Sequence, residues 1–138
     1  MVTYYCPSCW REVEQGETVC DACGASIREL VDHRSFVQKL VAALSHPEPQ
    51  TPVRAAWLLG NMRAAEAVGP LIELVRRVSR DVYMQAAAVE ALGKIGTDDV
   101  WPIIEEMAGT GPILARRAAV AALRNRAVIA APEKESLE

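Results

Sequence analysis

The order of small, apolar and polar residues repeats along the chain from Asp32 onward. One strip, in which paired alanines precede a leucine, occurs three times, at 51–60, 84–93 and 115–124. The matching leucines are Leu59, Leu92 and Leu123, and they recur with a period of about 32 residues. A nearly fixed period of this size indicates a repeat architecture.

A second strip, in which a proline opens an apolar segment, occurs at 69–75 and again at 101–107. Its prolines, Pro70 and Pro102, are separated by the same period, and 36–41 is an earlier and looser copy. Proline is tolerated in the first turn of a helix because the missing N–H has no intrahelical partner there. The pattern therefore predicts a two-helix unit: an Ala-rich helix, a turn, a helix opened by proline and another turn.

Alanine, leucine and glycine in the first strip suggest how these helices pack. Small residues let neighbouring helices approach closely, and larger ones such as Leu58 and Val89 fill the space between layers. Gly60 and Gly93 lie near the ends of the Ala-rich helices, where glycine is commonly used to end a helix.

These strips resemble the short HEAT-like repeats of bacteria and archaea, including the phycobilisome-lyase subgroup, whose first helix reads roughly VRxxAAxALG. The resemblance covers about 34–126 and implies an all-α fold, a short α-solenoid of about two and a half repeats. The third copy departs from the pattern, since Arg124 stands where glycine is usual and no clear second helix follows. An ordinary Ala-rich helical bundle is the alternative.

Four cysteines lie in two CxxC pairs near the start of the chain: Cys6, Cys9, Cys20 and Cys23. Two such pairs on a short loop can close four thiolates around one ion, most often a structural Zn²⁺. Iron, redox-active and disulfide roles are the alternatives. An all-cysteine set leaves no ligand position for water, so we expect one structural zinc and not a catalytic one.

The cysteine segment resembles the short zinc-ribbon modules found in many prokaryotic proteins. The match includes Pro7, both CxxC pairs, Val19, Gly24 and Ile27. It departs at Trp10, where the family usually has glycine. We expect a zinc ribbon at 1–27, HEAT-like repeats at 28–126 and a frayed or disordered C-terminal tail at 127–138. The ribbon, through Trp10 and Ile27, is well placed to cover the first helix.

Composition and charge narrow the function classes. The net charge is −3, and residues 1–25 contain one arginine and four acidic residues. This charge does not favour nucleic acid as a partner. No apolar run is long enough to span a membrane, and no secretory signal precedes the cysteines. We therefore expect a cytoplasmic protein.

The repeat register also nominates a partner-binding surface. Lys39, Glu73 and Glu105 occupy one column of the second helices, and Arg76 and Arg77 lie one turn further along theirs. Solenoids commonly bind through their concave face. We therefore expect a non-catalytic adaptor or scaffold that mediates protein–protein interaction, with an unidentified protein partner.

Further expectations concern nucleic acid, self-association and catalysis. Two arginine clusters, Arg76–Arg77–Arg80 and Arg116–Arg117–Arg124–Arg126, raise the alternative of a nucleic-acid-binding accessory protein. Uncovered apolar residues near the C-terminal end, such as Val120 and Ile129, suggest a homodimer through that end. His46 lies in a Pro-rich turn and is expected to be solvated. The sequence shows no combination of nucleophile, base and oxyanion donor, so the chain is not expected to be an enzyme.

Overall fold

The computed structural model describes residues 2–77 and 81–130, and these contain seven α-helices and one two-stranded sheet. The strands are β1 (Tyr4–Tyr5) and β2 (Glu12–Val13). The helices are α1 (Ile27–His33), α2 (Phe36–Ala43), α3 (Gln50–Asn61), α4 (Val68–Arg76), α5 (Val82–Ile95), α6 (Trp101–Thr110) and α7 (Ile113–Ala130). The predicted all-α fold with a small four-cysteine module in front is confirmed.

The predicted repeat forms two rows of helices. The Ala-rich helices α3, α5 and α7 make the first row, in which each packs against the next. The second row consists of α2, α4 and α6, which pack against α3, α5 and α7 respectively. The strips at 69–75 and 101–107 fall in α4 and α6, and the looser copy at 36–41 falls in α2. Both kinds of helix are therefore confirmed, but α4 and α6 pack mainly against the Ala-rich helix that follows each of them, and not against the preceding one as the predicted unit implies.

The hydrophobic core lies between the two rows. Leu59, Leu71, Leu92 and Ile104 are fully buried there. Gln85 is a buried polar residue of α5, and its Nε2 donates a hydrogen bond to the carbonyl oxygen of Val75 at 3.1 Å. This bond satisfies a buried amide and ties α5 to the last turn of α4.

Local capping signals fix several helix ends. Ser35 and Gln38 form a capping box at the start of α2, and the Asp81 side chain accepts from the N–H groups of Tyr83 and Met84 at the start of α5. Gly96 ends α5 in the left-handed conformation, with φ of 67°. Arg63 stands at the matching position one repeat earlier, just after α3, and adopts a similar φ of 50°.

Gly60 and Gly93 lie near helix ends as expected, but close packing explains them better than helix termination does. A Cβ added to Gly60 would lie 2.8 Å from Cα of Ala91 in α5. A Cβ added to Gly93 would lie 2.7 Å from Cβ of Ala122 in α7. Helices of the first row therefore approach so closely that only a hydrogen fits at these two positions.

The third copy consists of α7, which continues to Ala130. The predicted tail at 127–138 thus begins inside this helix, and its residues 131–138 lie outside the described residues. None of the helices in 2–77 and 81–130 combines the length and the hydropathy that crossing a membrane requires.

Gly60→Ala should lower the free energy of unfolding by about 1–3 kcal/mol, because the added methyl group overpacks against the α5 backbone. Gly109→Ala is the matched control, since Gly109 also lies near a helix end and has open space around its Cα. That control should be neutral or stabilising by up to about 1 kcal/mol, because alanine favours the helix. Urea unfolding followed by circular dichroism measures both, and equal effects would refute the packing explanation.

Candidate metal centre

The first CxxC pair lies in a tight turn at the end of β1. The N–H of Cys6 donates to the carbonyl oxygen of Arg11 at 2.9 Å, and the N–H of Trp10 donates to the carbonyl oxygen of Cys6 at 2.8 Å. The Ser8 N–H also points at the Cys6 Sγ, at 3.4 Å. These bonds fold the turn so that both thiols face the same side.

The second CxxC pair repeats the same turn. The N–H of Cys20 donates to the carbonyl oxygen of Ala25 at 3.0 Å, and the N–H of Gly24 donates to the carbonyl oxygen of Cys20 at 2.8 Å. Donors and acceptors have the same sequence spacing as in the first turn. Two equivalent knuckles therefore present two thiols each.

The knuckles bring all four sulfur atoms within 4.8 Å of one another. The Sγ atoms of Cys6 and Cys23 are 3.7 Å apart, as are those of Cys9 and Cys20. A tetrahedral ion with metal–sulfur bonds of about 2.3 Å requires sulfur separations of about 3.8 Å. The predicted ligand set is thus assembled in a geometry that fits one tetrahedral metal ion.

Backbone amides and neighbouring sulfurs set the ionisation of the two exposed thiols. A backbone hydrogen bond from Ala25 is the main cause that lowers the pKa of Cys23 to about 7. At Cys9 a backbone hydrogen bond from Arg11 also favours the thiolate, but desolvation and the other three sulfurs together outweigh it and raise the pKa to about 11. The crowded sulfurs oppose joint ionisation, whereas a bound divalent ion would hold all four as thiolates.

Trp10 occupies the position in the first knuckle that Gly24 occupies in the second. Its φ is 60°, and that of Gly24 is 73°. A residue with a side chain in this left-handed region costs roughly 1–2 kcal/mol. The first knuckle therefore tolerates backbone strain at Trp10, a position where this chain departs from the ribbon pattern.

The Trp10 ring contacts the helical part, which offsets this cost. Its centroid lies 4.7 Å from that of His46, in the turn between α2 and α3, and the Tyr5 ring lies 4.8 Å from His46 in an edge-on arrangement. The expectation of a solvated His46 is wrong: the imidazole is half-buried, and its Nδ1 accepts from the Glu48 N–H at 3.0 Å.

A second contact joins the knuckle to the helices. The Arg34 guanidinium, between α1 and α2, donates to the carbonyl oxygen of Pro7 at 3.1 Å. Ile27 begins α1, and its N–H donates to the carbonyl oxygen of Thr18 at 2.9 Å. The contacts of Arg34 and His46 carried no signal in the sequence, because both partners are distant along the chain.

The nominated partner-binding residues are all exposed. Lys39, Glu73 and Glu105 lie on α2, α4 and α6, the helices of the second row. Arg76 ends α4 and approaches Glu106 of α6, with 3.8 Å between Nη1 and Oε2, and Arg77 follows directly. The row thus presents a surface of mixed charge.

The two arginine clusters have different surroundings. Arg80 of the first cluster lies outside the described residues. The second cluster lies along α7, where Arg116, Arg117 and Arg124 are exposed and Arg126 sits over the Trp101 ring at 4.3 Å.

Removing the metal should lower the melting temperature of the helices as well as unfold the ribbon, because Trp10 and Arg34 join the two. A loss of about 1 kcal/mol in the free energy of unfolding lowers the melting temperature by about 4–8 °C in a domain of about 60–100 residues, which is the size of the helical part. Thermal melts followed by far-ultraviolet circular dichroism, with and without a chelator, measure the shift.

Trp10→Gly should reduce this shift, because it removes the ring that contacts His46 while relieving the knuckle backbone. Trp10→Phe, which keeps an aromatic ring, is the control and should retain most of the shift. Identical chelator shifts in the wild type and Trp10→Gly would contradict the role given to this ring.

Comparison with known proteins identifies the family of the helical part. A search of curated proteins finds no match to the chain. The family of HEAT repeats matches residues 37–124, which is more than half of the chain and spans α2 to α7. The protein belongs to the HEAT repeat family.

Proposed function

We propose that the chain is a non-catalytic adaptor, in which a zinc ribbon precedes a short HEAT solenoid that holds a partner protein. The observation that carries the proposal is the exposed column of charges on the second row, Lys39, Glu73 and Glu105, with Arg76 and Arg77 beside it at the end of α4. Successive repeats place side chains at regular intervals on one extended surface, which suits recognition of another protein.

The donor chemistry supports zinc as the resident ion. Soft thiolate ligands in a tetrahedral arrangement suit zinc and iron, and zinc has no geometric preference that the knuckles would have to resist. All four ligands are cysteine side chains, so the ion would organise the ribbon and not activate water. The proposal divides the chain into a zinc ribbon at 1–27 and repeats of the phycobilisome-lyase subgroup at 28–126. It also includes a cytoplasmic location, because thiols persist in a reducing compartment.

Nucleic-acid binding is the second candidate function. The observation in its favour is α7, which carries four arginines and no acidic residue. The four acids in residues 1–25 oppose it on the ribbon side. A gel-shift assay with a salt series separates the two functions, because phosphate contacts weaken steeply with salt.

The purified chain should contain one zinc per molecule, because four thiolates complete the tetrahedral coordination of a single ion. Elemental analysis measures the content, and Cys20→Ser should lose the ion since Cys20 is a buried ligand. Ser8→Ala, next to the first pair, is the control and should retain it. One iron per molecule with an intact ribbon would replace zinc in this proposal.

Reversing the column should abolish partner capture. The triple variant Lys39→Glu, Glu73→Lys and Glu105→Lys changes charge on three helices at exposed sites, so folding should be unaffected. Arg54→Glu, an exposed reversal on α3 in the other row, is the control. Affinity capture from the native cell should recover a partner with the wild type and the control but not with the triple variant. Equal recovery by all three proteins would exclude the column as the binding surface.

A further inference from the structure

The last helix of the first row has an outer face that no helix of the described residues covers. In the first two copies, Gly60 of α3 and Gly93 of α5 contact the next helix of the row. One and two turns earlier on the same side, by helical spacing, the residues are also small or apolar: Ala56 and Val53 in α3, and Val89 and Ala86 in α5. The same register in α7 gives Arg117, Val120 and Arg124. Arginine thus replaces a small or apolar residue at two of the three positions.

These three residues belong to a longer line along the side of α7 opposite its buried side. Ala115 and Ala119 are fully buried against the rest of the protein. By helical spacing, the opposite side holds Ile113, Arg117, Val120 and Arg124, and Val128 lies at its edge, beside a cavity that Gly93 and Ala122 also line. We call these five residues the outer stripe of α7. Ile113 and Val128 are 63% and 74% exposed, which is high for aliphatic side chains. The outer stripe therefore alternates apolar residues with arginines: Ile113 and Val128 are largely exposed, and Val120 is half-buried.

The charge of α7 has one sign. The helix has four arginines and no aspartate or glutamate, although the whole chain has a net charge of −3. Arg126 is engaged with the Trp101 ring. Within residues 2–77 and 81–130, Arg117 and Arg124 have no ion-pair partner. Two guanidinium groups are thus available to acidic groups from outside.

Another solenoid helix cannot supply the cover. At Gly93, even a single Cβ would lie 2.7 Å from the Ala122 Cβ. Arg124 stands at the equivalent position of α7, so a helix stacked in the solenoid register would collide with its side chain. An occupant must lie further away and fill the space with groups that pair with arginine.

We propose that the outer stripe of α7 binds an acidic amphipathic helix of a partner protein. Its apolar residues would contact Ile113, Val120 and Val128, and its carboxylates would pair with Arg117 and Arg124. The stripe is about 22 Å long at 1.5 Å per residue, which suits a helix of about 16 residues. This mode of recognition is an amphipathic helix laid on an apolar strip with complementary charge.

Charge and chemistry favour this occupant over two others. A second copy docked through the same face would bring Arg117 and Arg124 of one copy against those of the other, which opposes association. A nucleic acid would pair with the arginines but would leave the three aliphatic residues without apolar partners. The stripe is also separate from the charged column on α2, α4 and α6, so this proposal does not rest on the adaptor proposal.

Fluorescence anisotropy with the full metal-loaded chain tests the proposal. The probe is a labelled synthetic helix of the same length as the stripe, with leucines at helical spacing flanked by glutamates, and the comparison probe has lysines in place of the glutamates. The glutamate peptide should bind and the lysine peptide should not. Arg117→Glu or Arg124→Glu should weaken binding at least tenfold, and the double variant should bind the lysine peptide instead.

Arg116→Glu is the matched control, since it makes the same charge change at the adjacent position, off the stripe. It should leave the affinity within about twofold, because Arg116 would not contact the peptide and its longer-range attraction is screened by salt. Amide chemical-shift changes in the wild type should centre on Val120 and Arg124, a readout that needs no variant.

Several results would overturn the proposal. No saturable binding up to millimolar peptide would leave the arginines as a polar end of the solenoid. Equal weakening by Arg116→Glu would mean unspecific attraction. A DNA or RNA oligonucleotide that binds more tightly through Arg117 and Arg124 would make the stripe a nucleic-acid surface. A dimer in sedimentation that Val120→Asp dissociates would make it a self-association face.

Discussion

The distance between neighbouring helices of the first row is the constraint on which the rest of the structure depends. Gly60 meets the α5 backbone and Gly93 meets Ala122, so these helices lie nearly in backbone contact. That spacing lets Leu59 and Leu92 fill the layer between the rows and lets α4 and α6 pack beside α5 and α7. Surface residues inherit their positions from this stacking, including the charged column on the second row and the outer stripe of α7.

The ribbon is stabilised in a different way, because it is too small to bury a core of its own. Two equivalent knuckles aim four sulfurs at one point, and a bound ion would supply the folding free energy that packing cannot. It joins the helices through an aromatic group, in which Trp10 and Tyr5 flank His46, and through the hydrogen bond from Arg34 to Pro7. Trp10 accepts an unfavourable backbone conformation while providing one of these contacts.

Local patterns in the sequence were enough to predict the four cysteine ligands and the helical repeat. The CxxC spacing involves only a few adjacent residues, and the solenoid pattern occurs three times along the chain. Contacts between distant segments have no such local pattern, and no residue near His46 or Arg34 indicates that either contacts the first knuckle. Gly60 and Gly93 lay near helix ends, where a capping role and a packing role share the same local signature, and only the positions of Ala91 and Ala122 distinguish them. In α5 the true cap is Gly96.

Arg117 and Arg124 also determine where such an array can grow. A duplicated pair of helices inserted between α4 and α5 would meet alanine, valine and glycine on both sides and could stack at the existing spacing. The same pair added after α7 would meet two guanidinium groups instead. Lengthening by internal duplication is therefore compatible with this architecture, whereas extension at the C-terminal end first requires both arginines to be exchanged for small residues.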